Sequence, residues 1–214
     1  MARMLPHPPS VTELGALGIE SGEVCALPPS QVVWRVHRTE SSHSLPWNAF
    51  RMFGPVLRFD PQPYPRGEHP RRGVWYGALD VAGALAEAFQ HSRVIDRSCE
   101  SPYLTGFRFT RELRLLDVGG FGEGRWPTRV GGNFALASAP HSVTQRWARA
   151  IVAAHPDLDG LVYRGRFSGG PCIVLFRPVA DAFPNRPLTS NPLSHPGIQI
   201  RLAAAAVRIG YSLV

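Results

Sequence analysis

Apolar and polar residues alternate most clearly in "QVVWRVHR", residues 31–38. Val32, Trp34 and Val36 fall on one side, and Val33, Arg35 and His37 on the other, which is the period of a strand. The first set reads as a core face, with Arg35 on the opposite side. In "GVWYGALDVAGALAEAF", residues 73–89, the period changes partway. Val74, Trp75 and Tyr76 suit a half-buried strand, and Asp80 is placed to cap a helix from Val81 to Gln90. Strands are also predicted over 104–110 and 113–118. "SVTQRWARAIVAAHP", residues 142–156, puts Val143, Trp147, Ala150, Ile151 and Ala154 on one helical face, with Ser142 as cap and Pro156 past the end. "GLVYRGR" and "CIVLFRP" flank the turn "FSGGP" and predict a hairpin. The tail predicts a helix that stops at Gly210, then a short strand.

Less regular stretches fill the gaps. Short helices are expected near Val11–Leu17 and over 46–53. Residues 54–73 read as a long proline-rich loop with Leu57–Phe59 as a brief strand. Residues 119–134 read as a glycine-rich loop in which Pro127 disfavours a helix. Helices mixed with hairpins favour an α+β fold over an alternating parallel sheet. Residues 1–30 read as an arm and residues 31–214 as one domain.

Composition narrows the chemistry. A chain of 214 residues that is 44% hydrophobic can bury a full core. No run approaches the roughly 20 apolar residues of a membrane span, and the N-terminus does not read as a secretory signal. Cys25, Cys99 and Cys172 are odd in number and far apart, which argues against a disulfide framework and favours a reducing cytoplasm. The net charge is +7, and all 23 basic residues are arginine. The absence of lysine excludes a P-loop lysine and a Schiff-base lysine. Arginine forks onto phosphates, so an anionic ligand fits, and nucleic acid stays in view. "GGFGEG" lacks dinucleotide-fold spacing. "GRFSGG" is not GxSxG, so Ser168 is no nucleophile elbow. No HExxH occurs, and no metal is expected.

One residue stands out on the helix that starts at Val81. Val81, Ala84, Leu85, Ala88 and Phe89 gather on one face. Glu87 lies off that face and is the only charged residue of the segment. It is either a solvated surface carboxylate or an acid lining a cleft or partner surface. An exposed helix ordinarily carries several charges.

The order of several short pieces decides what the chain is similar to. Arg35 stands in "WRVHR", Arg58 precedes Phe59 and Asp60, Tyr76 opens "YGA", Glu87 follows eleven residues later, and "DGLVYRGRFSGGPCIVLF" lies at 159–176. This set resembles the RES-domain family, the toxin halves of a class of bacterial toxin–antitoxin pairs. The resemblance implies a fold like that of ADP-ribosyltransferases, with a mixed, largely antiparallel sheet flanked by helices. It implies cleavage of the nicotinamide–ribose bond of NAD+, which is substrate rather than cofactor. Water or inorganic phosphate would be the acceptor. Glu87 would steady an oxocarbenium-like transition state and grip the ribose 2′-hydroxyl. Arg58 and Arg35 would hold the pyrophosphate. Tyr76 would stack on nicotinamide or hold the ribose. The family serine falls at Gly165, with Ser168 three residues later. Backbone N–H groups of "RFSGGP" would approach a phosphate. The implied partner is a helix-turn-helix antitoxin that covers the site mouth, in a hetero-oligomer. Membrane association is not expected.

Each residue has a structural rival. Arg35 would pair with an acid, Tyr76 would be a core tyrosine, and Arg58 would anchor its loop through Asp60. Two other functions compete. One is an ADP-ribosyltransferase acting on a macromolecule. The other is a basic nucleic-acid-binding module, motivated by the arginine count and by Trp126, expected to be exposed. Against the latter, the basic residues are dispersed.

Overall fold

The computed structural model describes residues 5–214. In chain order it contains helix α1 (Val11–Leu17), strands β1 (Val24–Leu27), β2 (Val33–Arg38), β3 (Phe53–Gly54), β4 (Gly67–Glu68) and β5 (Val74–Ala78), and helix α2 (Val81–Ala88). Strands β6 (Val94–Ile95), β7 (Pro102–Phe107) and β8 (Leu113–Asp117) follow, then helices α3 (Trp126–Arg129) and α4 (His141–Ala154). The chain ends with β9 (Gly160–Arg164), β10 (Pro171–Phe176), β11 (Thr189–Pro192), α5 (Gln199–Ile209) and β12 (Ser212–Leu213).

Eight strands form one sheet in the order β1-β8-β9-β10-β5-β2-β7-β11. Its neighbours run antiparallel except β8 and β9. The architecture is α+β, as the alternation of hairpins and helices predicts. No helix of the described residues is long and apolar enough to cross a membrane.

Both faces of the sheet are covered. On one, Val74, Ala78, Leu161, Tyr163, Cys172 and Val174 meet helices α2, α4 and α5. On the other, Trp75, Phe107, Phe109, Val162 and Ile173 form a second apolar cluster. The strands alternate between the two, so Tyr76 and Trp75 point to opposite layers. Strand β2 does the same: Trp34 and Val36 pack on the helix side, and Val33 is fully buried on the other. The side that carries Arg35, opposite the expected core face, is therefore a second core. Between β2 and β5 the register contains one pair, Trp34 with Ala78. Both strands there lie under α2, and this opening positions the site.

Several local expectations change. Residues 24–27 form an edge strand on β8, although the segment shows no clear alternation. Residues 46–53 do not form a helix, because Arg51 bridges Val74 and Phe53 pairs with Glu68. Leu57–Phe59 is no strand: the N–H groups of Val56 and Leu57 both donate to the Asp60 carboxylate, which curls the segment. Pro127 sits in the first turn of α3, where its missing N–H removes no helical bond. Helix α4 begins at His141, so Ser142 lies within its first turn rather than at the cap, and no side chain caps it. The Asp80 cap holds, accepting from Gly83 N at 2.6 Å. The Gly210 stop holds too, in the left-handed conformation at φ 69°.

Candidate active site

A cavity of about 250 Å³ opens between β2, β5 and α2. Tyr76 comes from β5, Glu87 from α2, Tyr163 from β9, His141 from the start of α4, and Arg58 from the curled loop. Strand alternation places Tyr76 on the helix-facing layer, whereas a side chain at Gly77 would run into the Trp75 ring. Helix α2 presents Ala84, Glu87 and Ala88 to the cavity. The solvated-surface alternative for Glu87 therefore fails, because the half-buried carboxylate lines the cavity wall.

Burial raises the Glu87 carboxyl above its ordinary 4.5; Arg58 and the Tyr163 hydroxyl partly offset this. Tyr163 donates to Glu87 Oε2 at 3.4 Å, and its ring packs 5.1 Å from that of Phe59. Burial lowers Arg58, Glu87 opposes that shift, and the guanidinium remains a cation at neutral pH. The site thus holds a desolvated acid facing one guanidinium. Burial and Arg58 together lower His141 below 6.5, so its imidazole is neutral at pH 7. Burial, then Glu87, holds Cys172 well above a thiol's usual range, so it is no thiolate nucleophile.

Asp60 organises the loop that carries Arg58. It is fully buried and accepts from Arg51 through both oxygens at 2.8 Å, and from Tyr76 Oη at 2.8 Å. Phe59 N donates to Tyr76 Oη at 3.0 Å. The acid that was to anchor Arg58 is thus paired with Arg51. The Arg58 guanidinium instead donates to Ala139 O, and Thr144 donates to Arg58 O, both at the start of α4. The Tyr76 hydroxyl is committed to protein partners, so its ring is the part available to a ligand.

Arg35 also lines the cavity, but its guanidinium lies on the second apolar layer. It stacks 5.2 Å from the Trp75 ring and donates to the carbonyls of Trp47 and Ala49, both at 3.3 Å. No acid pairs with it among the described residues. Burial, then Arg51, lowers it to about 10, which still leaves a cation at neutral pH.

Gly165 and Ser168 lie behind Glu87 rather than in this cavity's lining. A Cβ at Gly165 would lie 2.5 Å from Ser168 Oγ, 2.8 Å from Cys172 Sγ and 3.5 Å from Glu87 Oε1. The Ser168 hydroxyl thus fills the space a side chain at 165 would take. The turn is less suited to cradling phosphate than its glycines suggest. Gly165 N donates to Gly170 O, Gly169 N to Gly165 O, and Gly170 N to Ser168 Oγ.

Tyr163, His141 and Arg166 also line the cavity and were not among the expected site residues. Tyr163 stands in the quoted "LVYRG" segment, but only the order β9-β10-β5 puts it beside Glu87. Trp126 is fully buried, its ring 6.0 Å from that of Trp147. That removes one of the two motives for a nucleic-acid surface.

No curated protein sequence matches the chain. Among solved structures, a chain of the M. tuberculosis MbcT–MbcA toxin–antitoxin complex superposes with a TM-score of 0.55 at 14% identity, covering 91% of this chain and 96% of that one. This likeness is one of fold. The sequence model of the RES domain matches residues 32–194, which takes in Arg35, Arg58, Tyr76, Glu87, Tyr163 and the glycine turn. The chain belongs to the RES-domain family.

Proposed function

We propose that this protein cleaves the bond between nicotinamide and ribose in NAD+ and acts as the toxin of a toxin–antitoxin pair. The observation that carries the reading is Glu87, half-buried and desolvated beside Arg58 and Tyr163 at the wall of a cavity it shares with Tyr76. When the C1′–N bond breaks, its electron pair passes to the pyridinium nitrogen and neutral nicotinamide leaves. The ribose becomes oxocarbenium-like, and a desolvated carboxylate opposes that charge more strongly than it would in water. The Tyr76 ring offers a face for the nicotinamide. Arg58, Arg166 and the uncapped start of α4 concentrate positive charge where a pyrophosphate would lie. Water or phosphate then bonds to C1′, and neutral His141 is a base within the same cavity for the released proton.

The family and the fold likeness to a chain of a toxin–antitoxin complex support the toxin reading. On this reading the partner is a small helix-turn-helix antitoxin seated over the site mouth, and the setting is cytoplasmic. Purified protein incubated with NAD+ is expected to release nicotinamide, with ADP-ribose or its 1″-phosphate as co-product according to the acceptor. No nicotinamide release, with or without inorganic phosphate, would overturn the reading.

The pH profile is a separate prediction. Glu87 acts as the carboxylate, and burial raises its pKa, so activity should rise with pH along an acid limb centred above 4.5. Arg58 lowers that pKa, so Arg58→Met should move the limb to still higher pH. A limb that stays in place, measured on kcat/KM, would show that the two groups are not coupled.

A further inference from the structure

A second cavity, of about 600 Å³, lies beside the first. Its walls include Gly119, Gly120, Phe134, Arg125, Arg164 and Arg166. Asp117 pins the glycine loop by accepting the N–H groups of Gly119, Gly120, Phe121 and Gly122 at 2.7–2.9 Å. The loop's own donors are therefore occupied, and an anion entering the cavity would meet side-chain cations.

Those cations are free of acids. Among the described residues no carboxylate lies within 4.0 Å of Arg125, Arg164 or Arg166, whereas Arg38, Arg51, Arg111, Arg114, Arg129 and Arg208 each pair with one. Arg164 is also held in place. It donates to the Gly119 and Gly120 carbonyls and lies 4.5 Å from the Phe121 ring centroid. Phe134 is 38% exposed and packs over Gly120. An exposed aromatic ring beside three guanidiniums without an acid partner suits a planar base carrying phosphate.

The two cavities are joined at the reacting end. Arg166 lines both. Gly165 lines the second, and its side-chain position is 3.5 Å from Glu87 Oε1. The first cavity falls below the roughly 300–1,000 Å³ of sites for drug-sized ligands, so a dinucleotide with its nicotinamide end at Glu87 must extend out of it. One other cavity adjoins, of about 220 Å³, past Arg35 towards His37 and Ser44. There Arg38 is neutralised by Glu100, and the Arg35 guanidinium lies against the Trp75 ring in the second apolar layer.

We infer that the Arg125–Arg164–Arg166 cavity is the subsite for the adenylate half of the dinucleotide, with Arg166 carrying phosphate across the junction. This rests on the NAD+ reading above. The test uses full-length protein and the variants Arg125→Glu, Phe134→Ala and their combination. Both side chains are exposed, and the Arg125 guanidinium donates to the carbonyls of its neighbours Glu123 and Gly124 while its backbone contacts with α3 are untouched by the substitution, so the fold should survive. Calorimetry with ADP and with inorganic phosphate is paired with steady-state kinetics on NAD+ and inhibition by nicotinamide.

Loss of one charge-assisted phosphate contact should weaken ADP binding at least about tenfold and raise the KM for NAD+ similarly. The effect on kcat should be smaller, and the nicotinamide inhibition constant should not move. If the double variant binds ADP as wild type does while nicotinamide release continues, the inference falls and the NAD+ reading stands. If wild type releases no nicotinamide, the NAD+ reading falls; ADP binding lost in the double variant would still support a nucleotide subsite. If inorganic phosphate binds as tightly as ADP and Phe134→Ala has no effect, the cavity is a site for simple anions and the nucleotide assignment is overturned.

Discussion

Glu87→Gln is expected to leave the fold standing and to slow nicotinamide release by at least about 10²-fold, the scale of one transition-state electrostatic contact. The substitution keeps shape and removes only the charge. The amide can still accept from Tyr163, so the cavity wall is preserved. The loss should fall mainly on kcat, because the opposing charge develops on the ribose only as the bond breaks. Stability should move the other way or not at all. A carboxyl whose pKa is raised by folding stabilises the protein below its unfolded pKa and loses that contribution as pH rises through the folded value. At neutral pH the ionised Glu87 is thus a cost to the fold, and glutamine removes it. Thermal unfolding of the variant at pH 7 should occur at or above the wild-type temperature. Expression of wild type without an antitoxin should arrest a host, and Glu87→Gln should not. Wild-type turnover in the purified variant would refute the role assigned to Glu87.

How far the site was legible depended on whether its residues sit on periodic elements. Strand β5 and helix α2 announce themselves by period and by the Asp80 cap, so Tyr76 and Glu87 could be placed from the residues alone. The lone charge on a helix otherwise built of Gly, Ala and apolar residues left a solvated carboxylate and a cleft-lining acid both open, and it is the packing of α2 over β2 and β5 that puts Glu87 in the cavity wall. Arg58 sits in an aperiodic loop, and there local spacing misled. Asp60 lies two residues away, yet its partner is Arg51, nine residues back. Tyr163 and His141 reach the site only through sheet order and the docking of α4 on the loop, neither of which has a local signal. Arg35 shows a further limit. Alternation correctly sets it opposite Trp34, but which layer covers that side depends on Trp75 and Trp47, from distant segments. Trp126, expected at the surface, has no exposed area. Its ring packs edge-on against Trp147, from α4, a contact with no local signal.

Asp60→Asn should have the largest effect on stability, at nearly constant volume. Asp60 has no exposed surface and accepts five hydrogen bonds, from Arg51 twice and from Val56 N, Leu57 N and Tyr76 Oη. The amide keeps one acceptor and turns its NH₂ donors towards groups that also donate. Arg51, with 21% of its side chain exposed, is left as a largely buried charge without its counter-ion. Breaking one partner of such a pair costs about 3–5 kcal/mol. For a chain of this size that is a fall in melting temperature of roughly 6–20 °C. Activity should fall with it, at temperatures where the variant is still folded. The turn that Asp60 closes sets the position of Arg58, and the same carboxylate holds the Tyr76 hydroxyl. The kinetic loss should therefore appear in KM and kcat together, unlike the kcat-weighted loss of Glu87→Gln. Arg51→Met combined with Asp60→Asn should recover part of the melting temperature, because no unpaired charge remains, yet leave activity low, because the turn still lacks its carboxylate. A fall of less than about 3 °C for Asp60→Asn alone, near 1 kcal/mol on the same scale, would mean that the loop is held by its other contacts and that Asp60 does not organise the site.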